Sequence, residues 1–188
     1  LWHVGGWMQL ERAWSTGGKV HFCDYRDLEN PKVAGKVSGN LISLVPAQLH
    51  ELLKSPTGIT ALSEARCIFV GGAGMNAHLV GESRSLNLPV CPCYGSSETA
   101  GMITLLESGS FLLGINGVGP CLPRAEIRLS EKNSQVLIKC SSLCIRRGKR
   151  MFVTNEWLQT PDFGKIDSLG SVGLIILAEQ NLLQKHYQ

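Results

Sequence analysis

Apolar and polar positions change rhythm along this chain, and the change divides it. From Leu41 the pattern repeats strand then helix. Leu41-Ile42-Ser43-Leu44-Val45 reads as a buried strand, and Pro46 opens a helix over 47–54 with Leu49, Leu52 and Leu53 on one face. Ser55-Pro56-Thr57-Gly58 reads as its stop. The second unit is the strand Arg66-Cys67-Ile68-Phe69-Val70, the turn Gly71-Gly72-Ala73-Gly74 and a helix from about Asn76 to Leu86. Pro89 to Tyr94 is a third extended run. Such alternation marks a parallel sheet covered by helices. After Gly114 short β-like runs take over. Arg124 to Leu129 alternates with period two, residues 130–134 form a turn cluster, and Gln135 to Lys139 returns as a hairpin partner. Gly164 to Ile166 and Val172 to Leu177 make another candidate hairpin around Asp167 to Ser171. The expected fold class is α/β: a parallel sheet flanked by helices, then a small β-rich, distorted barrel-like subdomain. The expected divisions are 1–113, 114–177 and 178–188.

Composition narrows the function classes. With 44% hydrophobic and 18% charged residues among 188, the chain has enough apolar material for a buried core. A net charge of +3, evenly spread, argues against nucleic acid as the main partner. Arg146-Arg147-Gly148-Lys149-Arg150 concentrates cations, but no aromatic residue is interleaved to stack a base, so it reads as a solvated loop. The longest apolar run, Val172 to Ala178, is far shorter than the roughly 20 residues of a membrane-spanning helix. Seven cysteines at 23, 67, 91, 93, 121, 140 and 144 lack zinc-site spacing and read as buried small hydrophobes in a reducing, cytoplasmic setting. The chain begins with Leu1 and without a secretory signal, so chain material is expected before it.

Ligands of an open α/β sheet bind beyond the carboxyl ends of its strands, which directs attention to the loops after Val70 and after Cys93. Gly71-Gly72-Ala73-Gly74 would let a flat ligand approach the backbone, though a glycine turn is also ordinary punctuation between strand and helix. Tyr94-Gly95-Ser96-Ser97-Glu98-Thr99 sets an aromatic ring, hydroxyls and a carboxylate at a strand end. That set suits a nucleotide: a ring to stack on a base, hydroxyls for phosphate and a carboxylate for Mg²⁺. As composition alone, a polar loop capped by Ser97 or Thr99 fits equally.

Tyr94 to Thr99 resembles the Tyr-Gly-x-Thr-Glu signature of the adenylate-forming acyl-CoA synthetases. Gly71-Gly72-Ala73 is similar to that family's adenine-side glycine segment. Gly117-Val118-Gly119-Pro120 with Leu122-Pro123 is similar to its Gly-x-Gly-x-Pro stretch, and Thr160-Pro161-Asp162-Phe163-Gly164 to its Thr-Gly-Asp-Leu-Gly. Leu1-Trp2-His3-Val4-Gly5-Gly6 resembles the family's Pro-Leu-x-His-x-x-Gly segment, and Ser43 to Leu49 its Val-Pro-Thr-x-Leu stretch. The resemblance implies a fragment of the large N-terminal domain of the adenylate-forming fold, and an ATP-dependent acid–CoA ligase that makes an acyl-adenylate and then a thioester. Its implied cofactors are ATP/AMP, Mg²⁺ and CoA, and its implied partner is a small carboxylic acid. It places Tyr94 on adenine, with Gly71, Gly72 and Ala73 along the base or acyl pocket. Ser97 falls on phosphate, with Gly95 and Ser96 among the cofactor-binding residues, Glu98 on Mg²⁺, Asp162 on the ribose hydroxyls and His3 towards the acyl substrate.

Within the family, Met8-Gln9-Leu10 with Arg12, Thr16-Gly17-Gly18 and the Val-Pro-x-Gln-Leu spelling are most similar to the ligases that act on 2-succinylbenzoate in menaquinone and phylloquinone synthesis. Another acyl or aryl acid, or an inactive module that holds AMP or an acyl-adenylate, are the alternatives. The family's upstream phosphate loop and its C-terminal catalytic lysine are not in these residues. Ser97 for Thr keeps the hydroxyl, Pro161 for Gly removes an amide donor beside Asp162, and Leu177-Ala178-Glu179 departs from Leu-Gly-Arg at the expected hinge.

Overall fold

The computed structural model describes residues 3–144, 146–147, 150–151, 156–166 and 174–177. It opens with α1 (Val4–Thr16), which Gly17 ends in the left-handed region at φ 68°. A short 3₁₀ turn (Tyr25–Glu29) and α2 (Pro31–Ala34) follow. Next come β1 (Leu41–Leu44), α3 (Pro46–Leu52), α4 (Pro56–Glu64), β2 (Cys67–Val70), α5 (Ala77–Ser85) and β3 (Val90–Ser96). β1, β2 and β3 pair in parallel, with Ile42 opposite Ile68 and Ile68 opposite Val90. β4 (Gly101–Leu105) turns back antiparallel to β3 and completes a four-stranded sheet.

Alternation along the strands sorts the two faces of this sheet. Ile68, Val70 and Val90 are buried in a core with Leu49 and Leu52 of α3, Leu62 of α4, Leu79 of α5 and Leu88. On the other face α1 lies across Phe69, with the Arg12 guanidinium 4.9 Å from the ring centroid. The Ser-Pro-Thr-Gly stretch read as a stop also starts a helix: Ser55 caps α4 and Pro56 takes its first turn, where a missing N–H costs nothing.

Beyond α6 (Ser108–Leu112) the chain runs beside β4, where Leu122 N–H donates to Ile103 C=O at 2.8 Å. It then enters β5 (Ala125–Leu129) and β6 (Gln135–Cys140), the expected hairpin, with Ala125 opposite Cys140. β7 (Arg146–Arg147) and β8 (Arg150–Met151) pair antiparallel, so Arg146, Arg147 and Arg150 of the basic run lie in strands, while residues 148–149 lie outside the described residues. β9 (Leu158–Ile166) and β10 (Leu174–Leu177) pair as foreseen, although β9 starts well before Gly164. The second sheet has the order β10-β9-β6-β5, antiparallel throughout. Its core holds Val136, Ile138 and Cys140 together with Ile103 from β4 and the Tyr94 ring. The fold class is thus α/β with a β-rich second part. The expected hinge at 178–188 lies outside the described residues.

The cysteines divide. Cys91 and Cys140 are buried, as read from the sequence, while Cys23 is exposed and the other four are half-buried. No helix among the described residues is long and apolar enough to cross a membrane.

Candidate active site

β2 and β3 are parallel neighbours, so their carboxyl ends open at one edge of the sheet. There the glycine turn after β2 and the polar loop after β3 border a cleft of about 1510 Å³. The cleft is also lined by α1, by the segment from Phe111 to Val118 and by Asp162 of β9. His3, Gly71, Gly72, Ala73, Tyr94, Gly95, Ser96, Ser97, Glu98 and Asp162 all line it, although 159 residues separate the first from the last.

Tyr94 joins the two sheets at this cleft. Its phenol O–H donates to Asp162 Oδ2 at 2.6 Å, and its N–H donates to Thr104 Oγ1 at 3.2 Å. Burial, then the Asp162 hydrogen bond and charge, raise the phenol's pKa above the ordinary tyrosine value. Tyr94 therefore stays a protonated donor at neutral pH and leaves Asp162 Oδ1 as an acceptor. Asp162 is held in turn: its N–H donates to Thr160 Oγ1 at 3.2 Å, and that hydroxyl donates to Val136 C=O at 3.0 Å.

The loop after β3 is built around Thr99, which is fully buried. Its Oγ1 accepts from Ser96 N–H at 2.9 Å and donates to Gly101 C=O at 2.7 Å, while Ser142 Oγ donates to its carbonyl at 2.7 Å. Thr99, not Ser97, is the residue that ties the turn. Ser97 is exposed on the cleft, and its hydroxyl has no bond among the described residues. Gly95 must be glycine, because a Cβ there would collide with the Gly101 carbonyl across the β3–β4 pair. Glu98 is half-buried, and its charge contributes to raising the Tyr94 pKa. Its carbonyl accepts from Cys144 N–H at 2.6 Å.

Among the described residues no three His, Cys, Asp or Glu side chains converge to cage a metal. Glu98 and the Ser97 hydroxyl, which both line the cleft, are hard oxygen donors of the kind that hold Mg²⁺ when phosphate oxygens and water complete the shell. His3 stands exposed at the amino end of α1, where Nδ1 accepts from Gly5 N–H at 3.2 Å. It is a helix cap on the cleft rim. Gly72 and Ala73 are exposed on the opposite lip.

Three arginines line the cleft that the motifs did not single out as site residues. In the sequence Arg12 marks only the subfamily motif. It lies over Phe69 and donates to Gln9 Oε1 at 2.7 Å, and Gln9 is bonded in turn to Ser43 Oγ. Burial lowers its pKa, opposed by Cys67 and Cys93. Arg84 of α5 donates to the carbonyls of Phe111 and Ile115, both at 2.8 Å, and to Asn116 Oδ1 at 3.1 Å. It thereby fixes the far wall. Arg124 donates to Met102 C=O at 2.7 Å. The helical spacing of Met8 and Arg12 was the available signal for the first. For the other two the sequence carried none, because their partners are backbone carbonyls distant in the chain. Cys93, on the same wall, has its thiol pushed up to about 11 by burial and then by Cys91, so it is no thiolate nucleophile at neutral pH.

Comparison with known proteins bears on the family and the fold. The family described as AMP-binding enzyme matches residues 1–148. A 2-succinylbenzoate–CoA ligase of Bacillus cytotoxicus is 27% identical over 184 residues, covering 90% of this chain and 38% of the ligase. The o-succinylbenzoate CoA synthetase of Bacillus subtilis in complex with its acyl-adenylate intermediate superposes with a TM-score of 0.75 at 23% identity, covering 95% of this chain and 39% of that one. The same synthetase with ATP and magnesium ion gives 0.73 at 23% identity, covering 93% and 39%. At such identity the structural likeness speaks for the fold. The chain spans well under half the length of these relatives.

Proposed function

This chain belongs to the AMP-binding enzyme family, and we propose that it forms the adenylate site of an AMP-forming acid–CoA ligase whose acid is 2-succinylbenzoate. The observation that carries the reading is the Tyr94–Asp162 hydrogen bond at 2.6 Å, which joins an aromatic ring and a free carboxylate oxygen in one cleft with the Ser97 hydroxyl and Glu98. A ring beside a hydrogen-bond acceptor suits a nucleoside, with the base on Tyr94 and the ribose hydroxyls donating to Asp162 Oδ1.

In the reaction proposed, a substrate carboxylate attacks the α-phosphate of ATP, the bond to pyrophosphate breaks, and an acyl-adenylate results. The CoA thiol then displaces AMP to give the thioester. Ser97 donates to a phosphate oxygen and Glu98 offers a Mg²⁺ ligand, which would neutralise charge on the phosphates. His3 stands at the rim on the acyl side. The choice of acid rests on Arg12, a half-buried guanidinium in the cleft without a carboxylate partner among the described residues, which would meet the acid's second carboxylate. The named relatives that act on 2-succinylbenzoate support that choice.

Calorimetry with a non-hydrolysable analogue of 2-succinylbenzoyl-AMP tests the reading. Binding on the order of micromolar, weakened at least about tenfold by Asp162→Ala, is expected. A folded chain that binds neither the analogue nor AMP overturns it.

A further inference from the structure

Three thiols meet on one face of the parallel sheet, and the proposed reaction uses none of them. Cys67 and Phe69 of β2 share the face of Cys91 and Cys93 of β3, because Phe69 is the ladder partner of Cys91. Cys67 S–H donates to Cys91 Sγ at 2.9 Å, and both are free cysteines. A disulfide bond is about 2.05 Å long, so these two sulfurs have roughly 0.9 Å left to close.

The two thiols differ chemically. Cys91 is lowered to about 7, first by the Cys67 hydrogen bond and then by hydrogen bonds from Ser108 of α6, while burial and the Glu107 charge oppose. Cys67 is raised by the same bond and by burial, although the Arg12 charge opposes, and it remains the protonated donor. A partly ionised thiolate therefore touches a second thiol at neutral pH. Cys67 is half-buried, which opens the pair to a small oxidant, and Cys93 is engaged elsewhere, its thiol on Val70 C=O at 3.5 Å.

β2 and β3 run from this pair to the glycine turn and the Tyr94 loop on the cleft. Cys67 stands two positions before the partner of Cys91, so closing the sulfurs acts partly along the strands and draws β3 back past β2. At the cleft end the strands have no slack: a Cβ at Gly71 would stand 2.9 Å from Cys93 Sγ and 3.1 Å from the Cys93 carbonyl oxygen. Close-packed strands transmit such a shift, which displaces the Tyr94 loop relative to the glycine turn.

We propose that Cys67 and Cys91 form a peroxide-responsive dithiol whose oxidation to a disulfide weakens adenylate binding in the cleft. Its effect on binding rests on the adenylate reading above. In the reaction the Cys91 thiolate attacks hydrogen peroxide, the O–O bond breaks, hydroxide leaves and is protonated to water, and Cys91 becomes a sulfenic acid. The Cys67 sulfur then attacks the Cys91 sulfur, the S–S bond forms, the S–O bond breaks, and a second water leaves with the Cys67 proton. Two electrons pass from the pair of sulfurs to one peroxide.

The test treats the reduced chain with hydrogen peroxide at neutral pH, blocks remaining thiols with iodoacetamide and maps the peptides by mass spectrometry. Calorimetry with the adenylate analogue is run before and after. A Cys67–Cys91 cross-link ahead of any other is expected, with affinity at least about fivefold lower and both changes reversed by dithiothreitol. Cys67→Ser, and independently Cys91→Ala, are expected to bind as reduced wild type does and to keep that affinity after peroxide. Oxidation that leaves Cys67 and Cys91 unlinked, or links either to Cys93, overturns the proposal. So does the expected link with unchanged affinity, or an equal loss under peroxide in Cys67→Ser. Each of these leaves the adenylate reading standing as long as the reduced chain binds the analogue, whereas a reduced chain that binds neither the analogue nor AMP sinks that reading and the proposal with it.

Discussion

The phenol of Tyr94 is the residue on which most of the site converges, and removing its oxygen separates its two roles. Tyr94→Phe keeps the ring proposed to carry a base but deletes the 2.6 Å bond that holds Asp162. Adenylate affinity is expected to fall about fivefold to tenfold, read by calorimetry, because in the proposed site the freed carboxylate must be ordered by the ribose itself. The same phenol also ties stability to alkaline pH. Its folded pKa is raised by burial and by Asp162, so the unfolded chain releases this proton first as pH climbs past about 10. Stability from this group is complete below that point and declines above it. Urea midpoints measured from pH 9 to 11 should fall more steeply for wild type than for Tyr94→Phe.

Among the elements, α5 translates the glycine turn into a fixed cleft wall. Asn76 Oδ1 accepts from Leu79 N–H at 2.8 Å to start the helix, and Arg84 near its end holds the Phe111–Asn116 segment. Asn76→Ala is expected to cost about 1 kcal/mol, read as a lower urea midpoint with an unchanged slope. Elements with local signals were legible in the sequence. Pro46 announced α3, Asn76 announced α5, and the alternation in Glu126 and Arg128 announced a strand with one polar face. α1 went unread because Gly5 and Gly6 open it and Trp7 and Trp14 face outward, 58% and 85% exposed, which blurs its apolar stripe. β4 was missed for a different reason. Its start, Gly101-Met102, is set by Thr99 and by contact with Gly95, both tertiary effects. The site motifs were legible because they are contiguous. Arg84 and Arg124 were not, since their roles exist only once chain-distant carbonyls are brought to them.

Across the whole molecule, a mostly parallel sheet and an antiparallel one share one cleft, and each contributes what the other lacks. The parallel sheet supplies open strand ends and the glycine turn, while the antiparallel sheet supplies the carboxylate of Asp162. Because the chain spans 38% of the ligases it matches, binding and turnover should come apart: these 188 residues are expected to hold an adenylate yet release no pyrophosphate from ATP and 2-succinylbenzoate in a coupled phosphate assay. Steady release would show instead that the cleft alone suffices. The Tyr94–Asp162 bond, reaching across 68 positions of chain, also bears on descent. Two codons that far apart answer to one contact, so drift at either is judged by what the other encodes. If the pair serves the proposed nucleotide, a lineage that no longer needed it would be free to lose the pair in either order, and its continued presence in a sibling gene would be a mark of selection for binding.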